Sequence, residues 1–217
     1  DLGVTALAVP EKFDGIDAHP VDLVVALERL GRWCVPGPVT ESIAVAPVLL
    51  ADDDRCAALA SGELVATVAL PPAVPRAVDA HFAGLVLLAR DGQVSDAAAD
   101  GEHESVDPSR KLFDTHATGD ALSADVARAY EFGTLATAAQ LIGAGQAMLD
   151  MSVAYAKQRS QFGRIIGSYQ AIKQAGGYVR RGEKATAIVL FRPITKTVVS
   201  DTGQEEEEKF CVMRCFH

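Results

Sequence analysis

The spacing of apolar residues predicts a helical N-terminal part over residues 1–62. After Pro20, leucines and alanines recur every three or four positions as far as Gly31, which is the periodicity of an amphipathic helix. A second apolar helix is predicted at 40–50. A short helix is predicted at 55–60, since a glycine that can cap it follows closely.

From residue 63 the apolar residues occur instead in short runs, and these predict a small β domain over residues 63–122. The runs VATVAL and GLVLLA are typical of strands, and the pair Asp91–Gly92 after the second run predicts a tight turn. A stretch rich in alanine and acidic residues follows and favours a loop. The predicted strands are 65–70, 84–89 and 111–118, and the predicted loop is 96–106.

Helical periodicity returns at Ser123, the predicted N-cap of a long helix that reaches about Arg159. A break shortly afterwards predicts that the chain restarts as another helix, so residues 123–174 form a helical domain. Gly143 and Gly145 inside the long helix each cost roughly 1 kcal/mol relative to alanine. Close approach of a neighbouring helix would explain them, and room for a ligand backbone is the alternative.

The remaining residues, 175–217, predict a basic β-hairpin tail. β-branched residues dominate 186–199 and indicate one or two strands, Asp201–Gly203 indicates a hairpin turn, and 210–216 indicates the return strand. The acidic run 205–208 is predicted to be a solvated loop. The predicted fold class is α+β: a helical N-terminal part, a small β middle domain, long helices and a terminal β-hairpin.

Composition and charge narrow the function. The 217-residue chain is 49% hydrophobic with a net charge of −9, and the acidic excess lies before residue 173. An acidic body argues against a nucleic-acid surface there. Charged residues interrupt every apolar run, so no membrane span of roughly 18–20 residues is predicted. The four cysteines lack the density of a disulfide framework and predict a cytoplasmic location. The start at Asp1, without an export leader, is typical of a fragment or a processed chain.

The most informative segment is YAKQRSQFGRIIGSYQ, at residues 155–170. It brings a guanidinium (Arg159), an aromatic ring (Phe162) and a carboxamide (Gln170) close to one break in the helical pattern. A planar cation beside an aromatic ring suits a large, anionic and partly aromatic ligand such as a dinucleotide. The alternative is that Arg159 and Gln170 only solvate a helix corner.

This segment resembles the acyl-CoA dehydrogenase family. The pattern R-x-Q-F-G-x-x-I-x-x-x-Q, which runs here from Arg159 to Gln170, is that family's most recognisable local sequence. The resemblance covers about residues 1–172 and is strongest at 138–170. It implies that Arg159, Phe162 and Gln170 contact the FAD of a neighbouring subunit. It also implies an acyl-CoA substrate in fatty acid or steroid catabolism, and a homo- or hetero-oligomer with another acyl-CoA dehydrogenase chain.

The chain also departs from the family pattern. The middle part lacks a flavin-facing T-E-x-x-x-G-S segment, and many members of the family have an arginine where Thr134 stands. The helical pattern ends near Gln174, before the part in which most members carry a catalytic glutamate. The catalytic residues are therefore unknown, because nothing in the spacing of Glu131 recommends it as the base. The resemblance thus predicts an incomplete subunit or a helper subunit, and leaves enzymatic activity open.

The tail resembles a different family. QAGGYVRRGEKATAIVLFRP and the ending CVMRCFH are similar to the N-terminal single-stranded-DNA-binding domain of ArdC-type antirestriction proteins. That resemblance implies phosphate contacts by Arg180, Arg181 and Lys184, and the alternative is a basic turn that only solubilises a hairpin. Since SYQAIKQAGG suits both families, three interpretations stay open: a chimeric junction product, a two-function protein, and a dehydrogenase-like subunit with an unrelated tail.

Other chemistry finds little support in the sequence. Cys211, Cys215 and His217 would spread over roughly 20 Å along a strand, too far for one ion, so no metal site is predicted. The chain has no G-x-G-x-x-G, P-loop or G-x-S-x-G motif. These absences argue against a self-contained nucleotide domain and against a serine hydrolase.

Overall fold

The computed structural model describes residues 3–169 and two strands at 188–199 and 205–216. The chain divides into two compact units, Asp1–Ala147 and Met148–His217. The boundaries predicted from the sequence at residues 62, 122 and 174 stay predictions.

The N-terminal helices form where the apolar periodicity predicted them. They are α1 (Pro20–Arg32), a π-helical turn (Glu41–Val45) that continues into α2 (Ala46–Leu49), and α3 (Arg55–Ser61). Two short 3-10 turns, Val4–Ala6 and Glu11–Phe13, precede them. The ring of His19 caps α1 by accepting a hydrogen bond from the Val21 N–H at 3.3 Å. Gly62 ends α3 with a left-handed φ of 79°, a conformation that glycine adopts without strain.

The middle of the chain forms one six-stranded sheet. Its strands are β1 (Ala66–Ala69), β2 (Ala77–Val78), β3 (Leu85–Arg90), β4 (Gln93–Glu104), β5 (Lys111–Ala117) and β6 (Leu122–Ser123). They follow the order β1-β3-β4-β5-β2, with β6 on β4, and only the β1–β3 pairing is parallel within this sheet. β1 and β2 are the first and last strands of this order, and they also lie side by side, because Thr67 Oγ1 donates a hydrogen bond to Val78 O at 2.7 Å.

Two predictions for this region are confirmed and one is wrong. Asp91 and Gly92 form the two-residue turn between β3 and β4, with φ of 53° and 75°. The strand predicted at 111–118 is β5. The polar loop predicted at 96–106 is largely strand instead, because β4 extends to Glu104 by pairing with β5. Between residues 96 and 104 the polar side chains of β4 are exposed or half-buried. This part of the strand therefore pairs with β5 without an apolar pattern in its sequence.

The long helix, α4, spans Val126–Gln158 and confirms the predicted element, but its start differs from the prediction. Ser123 belongs to β6, where it pairs with Gln93. The cap is Asp125, whose Oδ1 accepts a hydrogen bond from the Arg128 N–H at 2.9 Å. A carboxylate at this position satisfies a free helix N–H and complements the helix dipole.

Helices α1 and α4 approach each other closely within the first unit. A Cβ at Gly143 would lie 1.9 Å from Glu28 O, and one at Gly31 would lie 2.2 Å from Gln140 O. Only glycine permits such contact between two helix backbones. Around this crossing, Leu23, Leu27 and Ile43 pack against alanines of α4. A second core cluster packs α2 and α3 against the sheet, including Leu50, Leu59, Val68, Leu87 and Val94.

The second unit contains the end of α4, a small hairpin and a longer hairpin. The small hairpin pairs β7 (Ser160–Gln161) with β8 (Arg164–Ile165), and a 3-10 turn, Ile166–Ser168, follows it. The long hairpin pairs β9 (Ile188–Val199) with β10 (Glu205–Phe216) in antiparallel register.

The predicted tail strands are therefore confirmed, but the acidic run 205–208 belongs to β10 and is not a loop. Each of these glutamates pairs in register with a residue of β9, which a purely compositional prediction does not anticipate. The predicted turn at Asp201–Gly203 lies outside the described residues. Among the residues that the structure does describe, no helix is both long and apolar enough to cross a membrane.

Candidate functional site

The first candidate site is the β7–β8 hairpin, which carries two of the predicted ligand-binding residues. Phe162 and Gly163 form its turn, with φ of 52° and 78°. A two-residue hairpin of this kind requires positive φ at both positions, which asparagine, aspartate and glycine adopt readily and a bulky residue does not. Phe162 is also 94% exposed. An aromatic residue is thus held in an unfavourable conformation with its ring in solvent.

Arg159 sits at the base of the same hairpin. Its N–H donates to Tyr155 O at 2.9 Å, and its carbonyl accepts from the Ile166 N–H at 2.8 Å. The backbone is therefore fixed on both sides, whereas the residue itself is exposed. The structure places Arg159 and Phe162 at one exposed hairpin, whereas the sequence predicted a break after which the chain restarts as a helix.

Neighbouring contacts brace this hairpin. The guanidinium of Arg164 stacks 3.9 Å from the centroid of the Tyr169 ring, and the Tyr169 hydroxyl donates to Gln161 O at 3.0 Å. Gly167 lies so close to α4 that a Cβ there would approach Ala156 O to 2.9 Å. Gln170, the third predicted residue, lies outside the described residues. So do Arg180, Arg181 and Lys184, the predicted nucleic-acid contacts.

The second candidate site is a cavity in the first unit, about 250 Å³ in volume. It lies among the Glu41–Val45 turn, β1 and α4. Its lining is mostly aliphatic and hydroxyl-bearing: Thr40, Glu41, Val45, Val68, Leu70, Val74, Tyr130, Gly133, Thr134 and Thr137. Thr134 stands where many members of the resembled family have an arginine. Its hydroxyl donates a hydrogen bond to Tyr130 O at 2.8 Å. The α4 wall of this cavity is therefore neutral at that position.

Glu41 is the one carboxylic acid in this lining, within the part of the chain that the structure describes. Burial raises the pKa of its carboxyl above 4.5. Its own backbone N–H and the charge of Arg110 act in the opposite direction, and the charge of Asp79 adds to the rise. Sequence reasoning missed Glu41, because nothing in an isolated glutamate at a helix start shows that a cavity faces it.

A buried ion pair stands near this carboxyl. Asp79, only 1% exposed, places Oδ2 2.5 Å from Arg110 Nε, although the two atoms are not aligned as a hydrogen bond. Arg110 Nη2 also donates to Gly37 O at 3.0 Å. The pair therefore ties the start of β5 to the turn that precedes the Glu41 segment.

Comparison with known proteins shows that this chain is similar to acyl-CoA dehydrogenases. Residues 125–206 match the family described as acyl-CoA dehydrogenase, C-terminal domain. The acyl-CoA dehydrogenase IpdE2 of Mycolicibacterium smegmatis is 32% identical over 177 residues, covering 79% of this chain and 56% of that protein. The acyl-CoA dehydrogenase FadE34 of Mycobacterium tuberculosis is 34% identical over 196 residues, covering 79% of this chain and 27% of that protein. The chain thus spans about half of one relative and about a quarter of the other.

Solved structures of the same class share the fold. Butyryl-CoA dehydrogenase from Megasphaera elsdenii superposes with a TM-score of 0.62 at 15% identity, covering 80% of this chain and 63% of that one. The ChsE4-ChsE5 complex from Mycobacterium tuberculosis gives a TM-score of 0.59 at 21% identity, covering 80% of this chain and 60% of the matched chain. At these identities the likeness establishes the fold, and it confirms the predicted α+β class.

The chain is therefore an acyl-CoA dehydrogenase-like protein, homologous to members of that family. The family match continues to residue 206, beyond the point near residue 174 where the helical pattern was predicted to end. It overlaps much of the segment that resembled an antirestriction domain, and the comparisons give that second resemblance no support.

Proposed function

We propose that this chain acts in an acyl-CoA dehydrogenase assembly as a helper subunit that contributes part of an FAD site to a partner chain. Arg159 and Phe162 are the contributed residues in the described part, and Gln170 is the third by sequence. When bound, FAD supplies the hydride acceptor for α,β-dehydrogenation of an acyl-CoA thioester. The catalytic base is not assigned to this chain.

The observation that carries the proposal is Phe162, whose backbone is strained and whose ring is exposed. A left-handed φ at a non-glycine residue costs on the order of 1 kcal/mol, and such strain concentrates at binding sites. The exposed ring gains little from its own unit, so the conformation is best explained by a ligand that lies outside it. The guanidinium of Arg159 suits a diphosphate, and the ring of Phe162 suits a planar heterocycle.

A partner chain is the second part of the proposal. The ChsE4-ChsE5 structure is a complex of two differently named chains, and PigA, another neighbour with a TM-score of 0.56, is solved with FAD. We extend both properties to this chain as a proposal. The apolar cavity of the first unit is then the receptor for an acyl group, since its lining is largely aliphatic.

The test measures flavin retention. The chain is purified alone and after mixing with a full-length acyl-CoA dehydrogenase-like chain of its source organism, and visible flavin absorbance is followed through gel filtration. We expect retention in the mixture, and loss with Arg159→Gln or Phe162→Asn. Asparagine adopts the left-handed turn more easily than phenylalanine, so Phe162→Asn removes the ring without harming the hairpin.

Arg164→Lys is the matched control, because Arg164 lies on the same hairpin and a lysine keeps a cation over the Tyr169 ring. It should retain flavin. A mixture that never takes up flavin, or uptake that Arg159→Gln and Phe162→Asn leave unchanged, would overturn the proposal.

A further inference from the structure

Glu41 presents an ionisable group to a cavity that is otherwise lined by aliphatic side chains, hydroxyls and a glycine. Glu41 is half-buried, so its carboxyl loses part of its contact with water, which is unfavourable unless a partner hydrogen-bonds to it. Such a group is retained where it has a structural or a ligand-binding partner. The contacts around Glu41 discriminate between the two.

Arg110, the cation whose charge acts on Glu41, already has other partners. Arg110 directs Nε at Asp79 and Nη2 at Gly37 O, so its guanidinium serves the buried pair and the adjoining turn. Among the described residues, no other side chain hydrogen-bonds to the Glu41 carboxyl. The carboxyl accepts a hydrogen bond from its own backbone N–H. A structural explanation for the carboxyl is therefore missing.

The protonation state favours a hydrogen-bond donor. Burial raises the pKa of Glu41, which enlarges the fraction of neutral acid. A neutral carboxylic acid donates one hydrogen bond, whereas a carboxylate only accepts. The Thr134 hydroxyl proton on the facing helix is already given to Tyr130 O. In its neutral form, Glu41 can therefore donate a hydrogen bond into the cavity.

We propose that Glu41 is a specificity-determining residue that donates a hydrogen bond to an oxygen function, keto or hydroxyl, carried by the acyl group of the substrate. This inference rests on the proposed acyl-binding role of the cavity. A site with such a donor favours a ligand that bears the oxygen over an analogue that lacks it, because the analogue leaves the half-buried polar group unpaired.

The cavity also limits the size of that group. Its volume is about 250 Å³, which suits an acyl chain of medium length. Octanoyl-CoA and 7-oxo-octanoyl-CoA are therefore suitable probes, since they match in length and differ by one carbonyl oxygen.

Calorimetric titration of the purified chain with both thioesters tests the inference. We expect the oxo thioester to bind roughly three- to tenfold more tightly. Glu41→Leu should abolish this preference, so that the two thioesters bind with similar affinity. Glu41→Gln should keep the preference, because an amide still donates a hydrogen bond from the same position.

Two outcomes would overturn the inference in distinguishable ways. Equal affinities in the unmodified chain, or a preference that survives Glu41→Leu, would reject the role of Glu41 and leave the cavity as an acyl site. Failure of both thioesters to bind would reject the acyl site and the role of Glu41 together.

Discussion

Gly143 and Gly145 lie two residues apart on α4 but have opposite surroundings. A Cβ at Gly143 would overlap the α1 backbone, whereas a Cβ at Gly145 would have nothing within 4 Å. We expect Gly143→Ala to lower the free energy of unfolding by about 2–3 kcal/mol, because two helices must separate. Gly145→Ala should raise it by about 1 kcal/mol through helix propensity. Urea unfolding of both variants measures the contrast, and equal effects would show that α1 and α4 do not touch at Gly143.

Glu41 provides a pH-dependent test at the same scale. Its raised pKa means that the folded chain holds this proton more tightly than the unfolded chain, so stability falls as pH rises through the folded pKa. Glu41→Gln should therefore gain stability over the unmodified chain at pH values above that pKa. The difference should vanish below about pH 4.5, where the carboxyl is protonated in both states.

Unfolding midpoints in urea at acidic and at mildly alkaline pH check this expectation. Arg110 and Asp79 supply the charges that act on Glu41 and remain in both proteins, so the comparison isolates the carboxyl. A variant that loses stability equally at both pH values would show instead that the carboxyl is stabilised by a partner within the chain.

At the scale of elements, the Asp79–Arg110 pair joins the start of β5 to the end of β2 and to the Gly37 turn. Asp79 also accepts a hydrogen bond from the Lys111 N–H at 3.0 Å. Asp79→Asn keeps that bond and tolerates the φ of 53°, but it leaves Arg110 without its counter-charge. We expect a loss of about 2–3 kcal/mol in the free energy of unfolding, since breaking a buried pair strands a charge.

The matched control is Asp114→Asn on β5, where the carboxylate pairs with Arg76 and His103 at the surface. Thermal unfolding should show a much smaller change for this variant, because exposed ion pairs contribute little. Similar losses for both variants would mean that the burial of Asp79 adds nothing to its pair with Arg110, and no loss for Asp79→Asn would mean that its negative charge does not stabilise the fold.

The same elements show how far the sequence could predict the structure. Helix α4, the Asp91–Gly92 turn and β3 followed from periodicity and turn chemistry, which act over a few residues. Strand β4 did not, because its stability comes from pairing with β3 and β5 and not from its own polar sequence. The motif predicted that Arg159 and Phe162 lie at one break in the helical pattern, but it did not predict the hairpin that forms there. The cavity at Glu41 depends on elements that are distant in sequence.

At the scale of the whole molecule, α4 leaves large apolar side chains in solvent. Leu141 is 68% exposed, Ile142 is 64% exposed and Met151 is 70% exposed. A run of such residues on one helix is unusual for a protein that works as a monomer, and it marks a surface suited to a protein partner. This surface agrees with the proposed assembly, and its residues differ from those proposed to contact flavin.

The two roles can therefore be separated by mutation. Ile142→Glu places a charge on the exposed apolar side and should prevent assembly with the partner, while the isolated chain stays folded because the residue is not in its core. Phe162→Asn should do the reverse, so that the assembly keeps its mass but loses flavin. Ser152→Glu, at an exposed polar position of the same helix, should preserve both. Light scattering gives the mass and visible absorbance gives the flavin content of each mixture. If Ile142→Glu assembles and retains flavin normally, α4 does not form the interface and the partner must bind elsewhere on the chain.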